Sequence, residues 1–175
     1  MYGKVICLAG ELGAGKTSYI KKFAAKAKTK KTVCYLRISD DWNDGKVLTF
    51  TNFVEFIKYA NTQTNTLFII DEAFTCLPKK LNIKMNKPND INNLLADFLV
   101  NCRKLNNFIF IIYHSLSQIP TEWLIPYLDY LVRFKTNDLM QYQVSRFKSF
   151  DTIVKSLLLD DTPQKYKYIT LKLRK

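Results

Sequence analysis

The stretch Leu8-Ala9-Gly10-Glu11-Leu12-Gly13-Ala14-Gly15-Lys16-Thr17 constrains this chain more than any other part of it. It carries G-x-x-x-x-G-K-T. The apolar run from Val5 to Ala9 before it reads as a buried strand. The segment from Ser18 to Ala27 reads as a helix with Ile20, Phe23, Ala24 and Ala27 on one face. Glycines at these positions remove side chains where the backbone must curl. Several N–H groups can then point inward at the positive end of the helix. This is the phosphate-binding P-loop, and Gly10, Gly13, Ala14, Gly15, Lys16, Thr17 and Ser18 are the expected nucleotide cradle. Lys16 is placed to reach the β- and γ-phosphates of ATP, and the Thr17 hydroxyl to ligate Mg²⁺.

A second site element follows the apolar run Leu67-Phe68-Ile69-Ile70, which ends in Asp71-Glu72. Acids at a strand end could simply open a turn. Downstream of a P-loop they form the Walker B pattern, with Asp71 for the Mg²⁺ shell and Glu72 to orient and polarise the attacking water. A third strand, Phe108 to Tyr113, ends in His114-Ser115, and His114 is the only histidine. Either side chain could sense the γ-phosphate if its strand lies between the P-loop and Walker B strands. Ligands of parallel sheets bind at the carboxyl ends of the strands, so these three segments are expected to converge.

Strands also read at Thr32 to Ile38, Tyr130 to Lys135 and Tyr166 to Leu173. Helices read from Thr51-Asn52 through Ala60, from Asn89 or Asp90 through Cys102, and around Thr152 to Leu159. Alternating strands and helices imply an α/β fold with a mostly parallel sheet and helices on both faces. At 175 residues one domain is expected, with a core over about residues 4–135 and an extension over about 146–175. No apolar run approaches the roughly 20 residues of a membrane span. Cys7, Cys34, Cys76 and Cys102 show no paired spacing, which fits a reduced, cytoplasmic setting.

The charge narrows the partner. A net charge of +12 and a pI near 9.5 point to a polyanion, DNA or RNA first, although a lysine-rich background composition would give the same sign. The aperiodic segment from Thr75 to Asn93 holds Lys79, Lys80, Lys84 and Lys87 against one acid, Asp90. It reads as a long loop able to grip phosphates without reading bases.

Together these residues resemble the FtsK–HerA superfamily of RecA-like (ASCE-type) P-loop ATPases. They look most like its small branch, the genome-packaging ATPases of icosahedral viruses, over about Val5 to Lys135. The more specific part is Leu95 to Asn107, in which a helix ends in Arg103, then the sensor strand, then Leu131-Val132-Arg133-Phe134. The family sensor is commonly Thr-Gln, and this chain has His114-Ser115 there. The resemblance implies an ATP-driven translocase of double-stranded DNA that packages viral genomes. It implies a ring, often hexameric, with ATP sites between subunits and an arginine finger drawn from Arg103, Arg133 or Arg146. Capsid or membrane-vertex proteins would be its partners, in the host cytoplasm or on the virion. Zot-like phage assembly ATPases share the core, but usually add a membrane segment.

Three other classes stay in view. A small nucleotide kinase needs an acceptor pocket and often an arginine-rich lid, and arginine is sparse here. A transporter-type ATPase would carry a Leu-Ser-Gly-Gly-Gln-like signature before Walker B, and none is present. A nucleotide-gated assembly factor would bind ATP without DNA-stimulated turnover.

Overall fold

The computed structural model describes residues 2–27, 29, 31–36, 47–84, 87–134 and 168–173. The expected helix at Thr152 to Leu159 and Arg146 lie outside the described residues. In chain order the elements are β1 (Lys4–Ala9), α1 (Lys16–Lys26), β2 (Lys31–Tyr35), β3 (Val47–Phe50), α2 (Phe53–Ala60), β4 (Thr66–Ile70), α3 (Ile91–Asn101), β5 (Phe108–Tyr113), α4 (Thr121–Leu124), β6 (Tyr130–Phe134) and β7 (Tyr168–Lys172).

The strands form one sheet in the order β3-β2-β4-β5-β1-β6-β7. The first six run parallel, and β7 pairs antiparallel with β6. The central strands are continuous apolar runs because both faces are covered. On one face Ile20 of α1 packs against Ile6, Leu8, Ile69, Phe110 and Ile112. On the other, Phe56 of α2 and Leu95 and Phe98 of α3 pack against Cys7, Phe68, Ile70, Ile109 and Ile111. Phe56, Phe68 and Phe98 meet edge to face, with ring centroids 5.2–6.2 Å apart. The expected α/β architecture, mostly parallel with helices on both faces, is what the chain adopts.

Helix starts follow their capping residues. The Asn52 side chain accepts from the N–H groups of Val54 and Glu55, and Asp90 accepts from that of Asn92. Burial makes Cys7, Cys34 and Cys102 small core hydrophobes, and it pushes the Cys34 thiol up to about 12. Two elements exceed the sequence expectation. Strand β3 is a four-residue edge strand with only partial burial, so its apolar pattern is weak. Helix α4 is a single turn after Pro120, too short for periodicity to register.

The amino-terminal ends of the strands are tied by buried polar side chains. Asn107 is fully buried; its side chain accepts from Thr66 N–H and donates to the Gln63 carbonyl. Buried Asp129 accepts from Val5 N–H and pairs with Arg103. Removing Asn107 would leave both of its backbone partners unsatisfied. Asn107→Ala is therefore expected to lose about 2–3 kcal/mol of stability, read as a lower urea midpoint with an unchanged slope.

Candidate active site

Strand β1 ends at Ala9, and the chain turns through Gly10 to Gly15 before entering α1. Gly13 and Gly15 have φ of 76° and 97°, a region that a Cβ disfavours. Gly10 N–H donates to the Tyr113 carbonyl, which fastens the loop's start to the end of β5. No side chain caps the first turn of α1 and no acid lies within it, so the positive end of the helix faces the loop uncompensated. Lys16 is 92% buried, and its ammonium donates to the carbonyls of Gly10 (2.6 Å) and Glu11 (2.7 Å). Burial pulls its pKa down, while Asp71 and Glu11 push it up.

The order of the sheet places β5 between β1 and β4, as the sensor expectation requires. The ends of these three strands and the P-loop enclose a cleft of about 380 Å³. It is lined by Gly13, Gly15, Lys16, Thr17 and Ser18 on one side and Asp71, Glu72 and His114 on the other. The cleft therefore gathers the residues expected to act as Walker A, Walker B and sensor from three distant parts of the chain.

Asp71 leaves β4 with one carboxylate oxygen accepting from Glu72 N–H (2.9 Å). Its pKa is raised. Burial is the main cause and outweighs the opposing pull of that hydrogen bond, His114 and Lys16. Glu72 takes a left-handed conformation, φ 47° and ψ 46°, and is exposed. That backbone costs a non-glycine residue of order 1 kcal/mol. It is held there by Thr75, whose N–H and hydroxyl both donate to the Glu72 carbonyl at 2.9 Å.

His114 and Ser115 diverge. The His114 Nε2 lies 3.9 Å from a Glu72 carboxylate oxygen, and the Phe74 ring meets the imidazole at 5.8 Å. Ser115 turns away, its hydroxyl 2.6 Å from that of Ser117. The turn is fixed by Gln118, whose side-chain oxygen accepts from the N–H groups of both His114 and Ser115. Gln118 has no signature in the sequence; only the return of a side chain onto a tight turn reveals it.

Neither Arg103 nor Arg133 lines the cleft. Arg103 sits past α3 at the amino-terminal end of the sheet, paired with Asp129 and still 40% exposed. Arg133 lies beside Ala9 in β6 and is 97% buried. In the basic loop, Lys84 pairs with Asp90 at 2.8 Å, and this pairing with the Asn92 N–H holds the Asp90 carboxyl at about 2. The Asn93 side chain clasps the backbone of Lys84 and Lys87. Lys79, Lys80 and Lys87 are exposed.

Gly15 and Ser18 also border a second hollow of about 440 Å³, lined by Tyr19, Lys22, Phe23, Phe134 and Tyr168. Its aromatic wall depends on β7 folding back beside β6, a pairing that no local pattern announces.

Hard oxygen donors suit Mg²⁺, which prefers few protein ligands and keeps phosphate oxygens and water. The half-buried Asp71 carboxylate and the Thr17 hydroxyl share one cleft, so the residues present fit that ion. No group of three or more His, Cys, Asp or Glu residues able to hold a metal occurs among the described residues. No helix among them is long and apolar enough to cross a membrane.

The chain and its fold are similar to those of known proteins. The family model described as "ATPase family associated with various cellular activities (AAA)" matches residues 6–129. The fold is similar to that of the genome packaging NTPase B204 from Sulfolobus turreted icosahedral virus 2 in complex with ATP-gammaS. That match has a TM-score of 0.70 and 16% identity, and covers 98% of this chain and 92% of the other. It is also similar to B204, the DNA-packaging ATPase from Sulfolobus turreted icosahedral virus, with a TM-score of 0.64 and 12% identity over 99% and 94% of the two chains. No curated protein matches by sequence. The P-loop NTPase fold expected from the resemblance is borne out.

Proposed function

The chain belongs to the AAA family of ATPases, and from that premise we propose that it hydrolyses ATP to move double-stranded DNA, as a viral genome-packaging motor does. The observation that carries the ATPase part is the single cleft shared by Lys16, Thr17, Asp71, Glu72 and His114.

Each residue has a role set by its place. The loop N–H groups and the start of α1 bind the phosphates, and Lys16 turns from the loop carbonyls onto them. Thr17 and Asp71 would hold Mg²⁺, which would neutralise charge on the phosphates. Glu72 accepts the proton of the attacking water, and His114 beside it reads whether the γ-phosphate is present. The nucleoside lies in the hollow lined by Tyr19, Lys22, Phe134 and Tyr168.

Support for DNA comes from the charge of +12 and from the position of Lys79, Lys80 and Lys87. The loop holding them begins within one turn of Glu72, so a change at the catalytic acid is delivered to a phosphate-gripping surface. Arg103 supports a ring. It lies at the end of the sheet opposite its own cleft, so only a neighbouring subunit's nucleotide is within its reach, where a finger is worth about 10³–10⁵ in rate. Arg103 is partly exposed and Arg133 buried, so Arg103 is the better candidate.

The test is steady-state ATP hydrolysis with and without duplex DNA, across protein concentration and at two salt levels. Turnover should rise with DNA and protein and fall with salt. Turnover indifferent to all three rejects the translocase, and ATP binding without turnover favours an assembly factor. Lys16→Ala serves as the control: losing hydrogen bonds to a charged group, each about 1.5–3 kcal/mol, should weaken triphosphate binding roughly 10- to 150-fold by calorimetry.

A further inference from the structure

The start of the basic loop is attached to the catalytic cleft twice. The first attachment is covalent and short. Glu72 passes into a 3-10 turn from Ala73 to Thr75; Leu77 N–H then donates to the Ala73 carbonyl at 2.8 Å, and Leu77 is buried. Pro78, Lys79 and Lys80 follow at once. The second attachment comes from the sensor side. Gln118 fixes the His114–Ser115 backbone, Ile119 is buried, and α4 begins two residues later. From α4, the Trp123 indole N–H donates to the Pro78 carbonyl at 2.9 Å, a contact between residues 45 apart in sequence. Ala73, Leu77, Ile119 and Leu124 belong to one buried cluster that Trp123 packs against, so the two attachments are mechanically joined.

We infer that Trp123 is a positioning residue that couples the nucleotide cleft to the basic loop, its indole N–H holding Pro78 so that Lys79 and Lys80 follow the sensor segment as well as the Walker B turn. The identity of the loop's ligand as DNA rests on the function proposed above; the coupling itself does not. Covalent continuity alone would let the loop pivot at Leu77. The indole hydrogen bond removes that freedom at the first residue beyond the pivot. A neighbouring phenyl ring could fill the same space, but it has no donor for the Pro78 carbonyl.

Trp123→Phe separates packing from coupling, because Pro78 is only half-buried and its carbonyl can turn to water. The first readout uses no DNA: tryptic cleavage after Lys79 and Lys80, with and without ATPγS. In the wild type the cleavage rate should change with ATPγS. In Trp123→Phe it should be the same in both states, with basal ATP hydrolysis within about 2-fold of wild type. The second readout is DNA stimulation, which should fall about 3- to 30-fold in the variant, the range of measured coupling through packed networks. A third needs no change at position 123. Trp42→Phe leaves Trp123 as the only tryptophan, and its emission should shift on adding ATPγS, with the midpoint moved to roughly 10- to 150-fold higher ATPγS in the Lys16→Ala background.

Cleavage in Trp123→Phe that still depends on ATPγS overturns the inference, as does wild-type cleavage or Trp123 emission indifferent to ATPγS. Nucleotide-dependent cleavage that is lost in the variant, together with hydrolysis indifferent to DNA, sustains the coupling and rejects the DNA reading instead.

Discussion

Glu72→Gln is expected to bind ATP as tightly as the wild type and to hydrolyse it about 10²–10⁴ times more slowly, the usual worth of a positioned general base. The substitution keeps the length and hydrogen-bonding shape of the side chain. It also keeps the left-handed backbone at φ 47°, which is held from outside by Thr75. What it removes is the proton acceptor. Single-turnover hydrolysis measured alongside binding of a fluorescent ATP analogue separates the two effects. Turnover near the wild-type value would reassign the base. The nearest replacement is His114, whose Nε2 is 3.9 Å from the Glu72 carboxylate, just outside hydrogen-bond range. The double variant with His114→Ala would then identify it.

The residues that this experiment addresses were legible because each lies at the end of an apolar strand. A run such as Thr66 to Ile70, buried at every position, announces both the strand and the place where it must stop. In a parallel sheet that end is the ligand edge. The P-loop, Asp71-Glu72 and His114 are therefore brought together by the sequence pattern alone, and β5 does sit between β1 and β4. Side-chain direction was not legible. Nothing in His114-Ser115 says which residue faces the cleft, because the answer lies in Gln118 reaching back over the turn. The Arg103–Asp129 and Trp123–Pro78 pairs span 26 and 45 residues and belong to no repeating pattern. Lys84 reads as one more basic residue of the loop, yet it is engaged with Asp90 and shapes the loop that its neighbours display. Strand β3 escaped for a different reason: an edge strand needs little burial, and so little hydrophobic signal.

Asp71→Asn should move stability and activity in opposite directions. The Asp71 carboxyl has a raised pKa, so its ionised form is disfavoured in the fold even after Lys16 and His114 are counted. The sign follows by linkage. A group whose folded pKa lies above its unfolded value favours the fold below the unfolded pKa, and that contribution is lost as pH rises through the folded pKa. At neutral pH the nucleotide-free wild type therefore bears the cost of a desolvated charge. Asparagine is neutral and can still accept the Glu72 N–H hydrogen bond. The variant's Tm should exceed that of the wild type at neutral pH, and the difference should close as pH falls through the raised pKa toward the ordinary carboxylate range. Mg²⁺-dependent ATP hydrolysis should be lost, because an amide is a poor ligand for a hard divalent cation compared with a carboxylate. A functional site commonly retains such a destabilising group for its chemistry. Thermal unfolding of both proteins between pH 4 and pH 8, without nucleotide or metal, reads the sign directly. A variant less stable than the wild type at neutral pH would mean that the Lys16–Asp71 attraction outweighs burial, and that the cleft is held together by its charges.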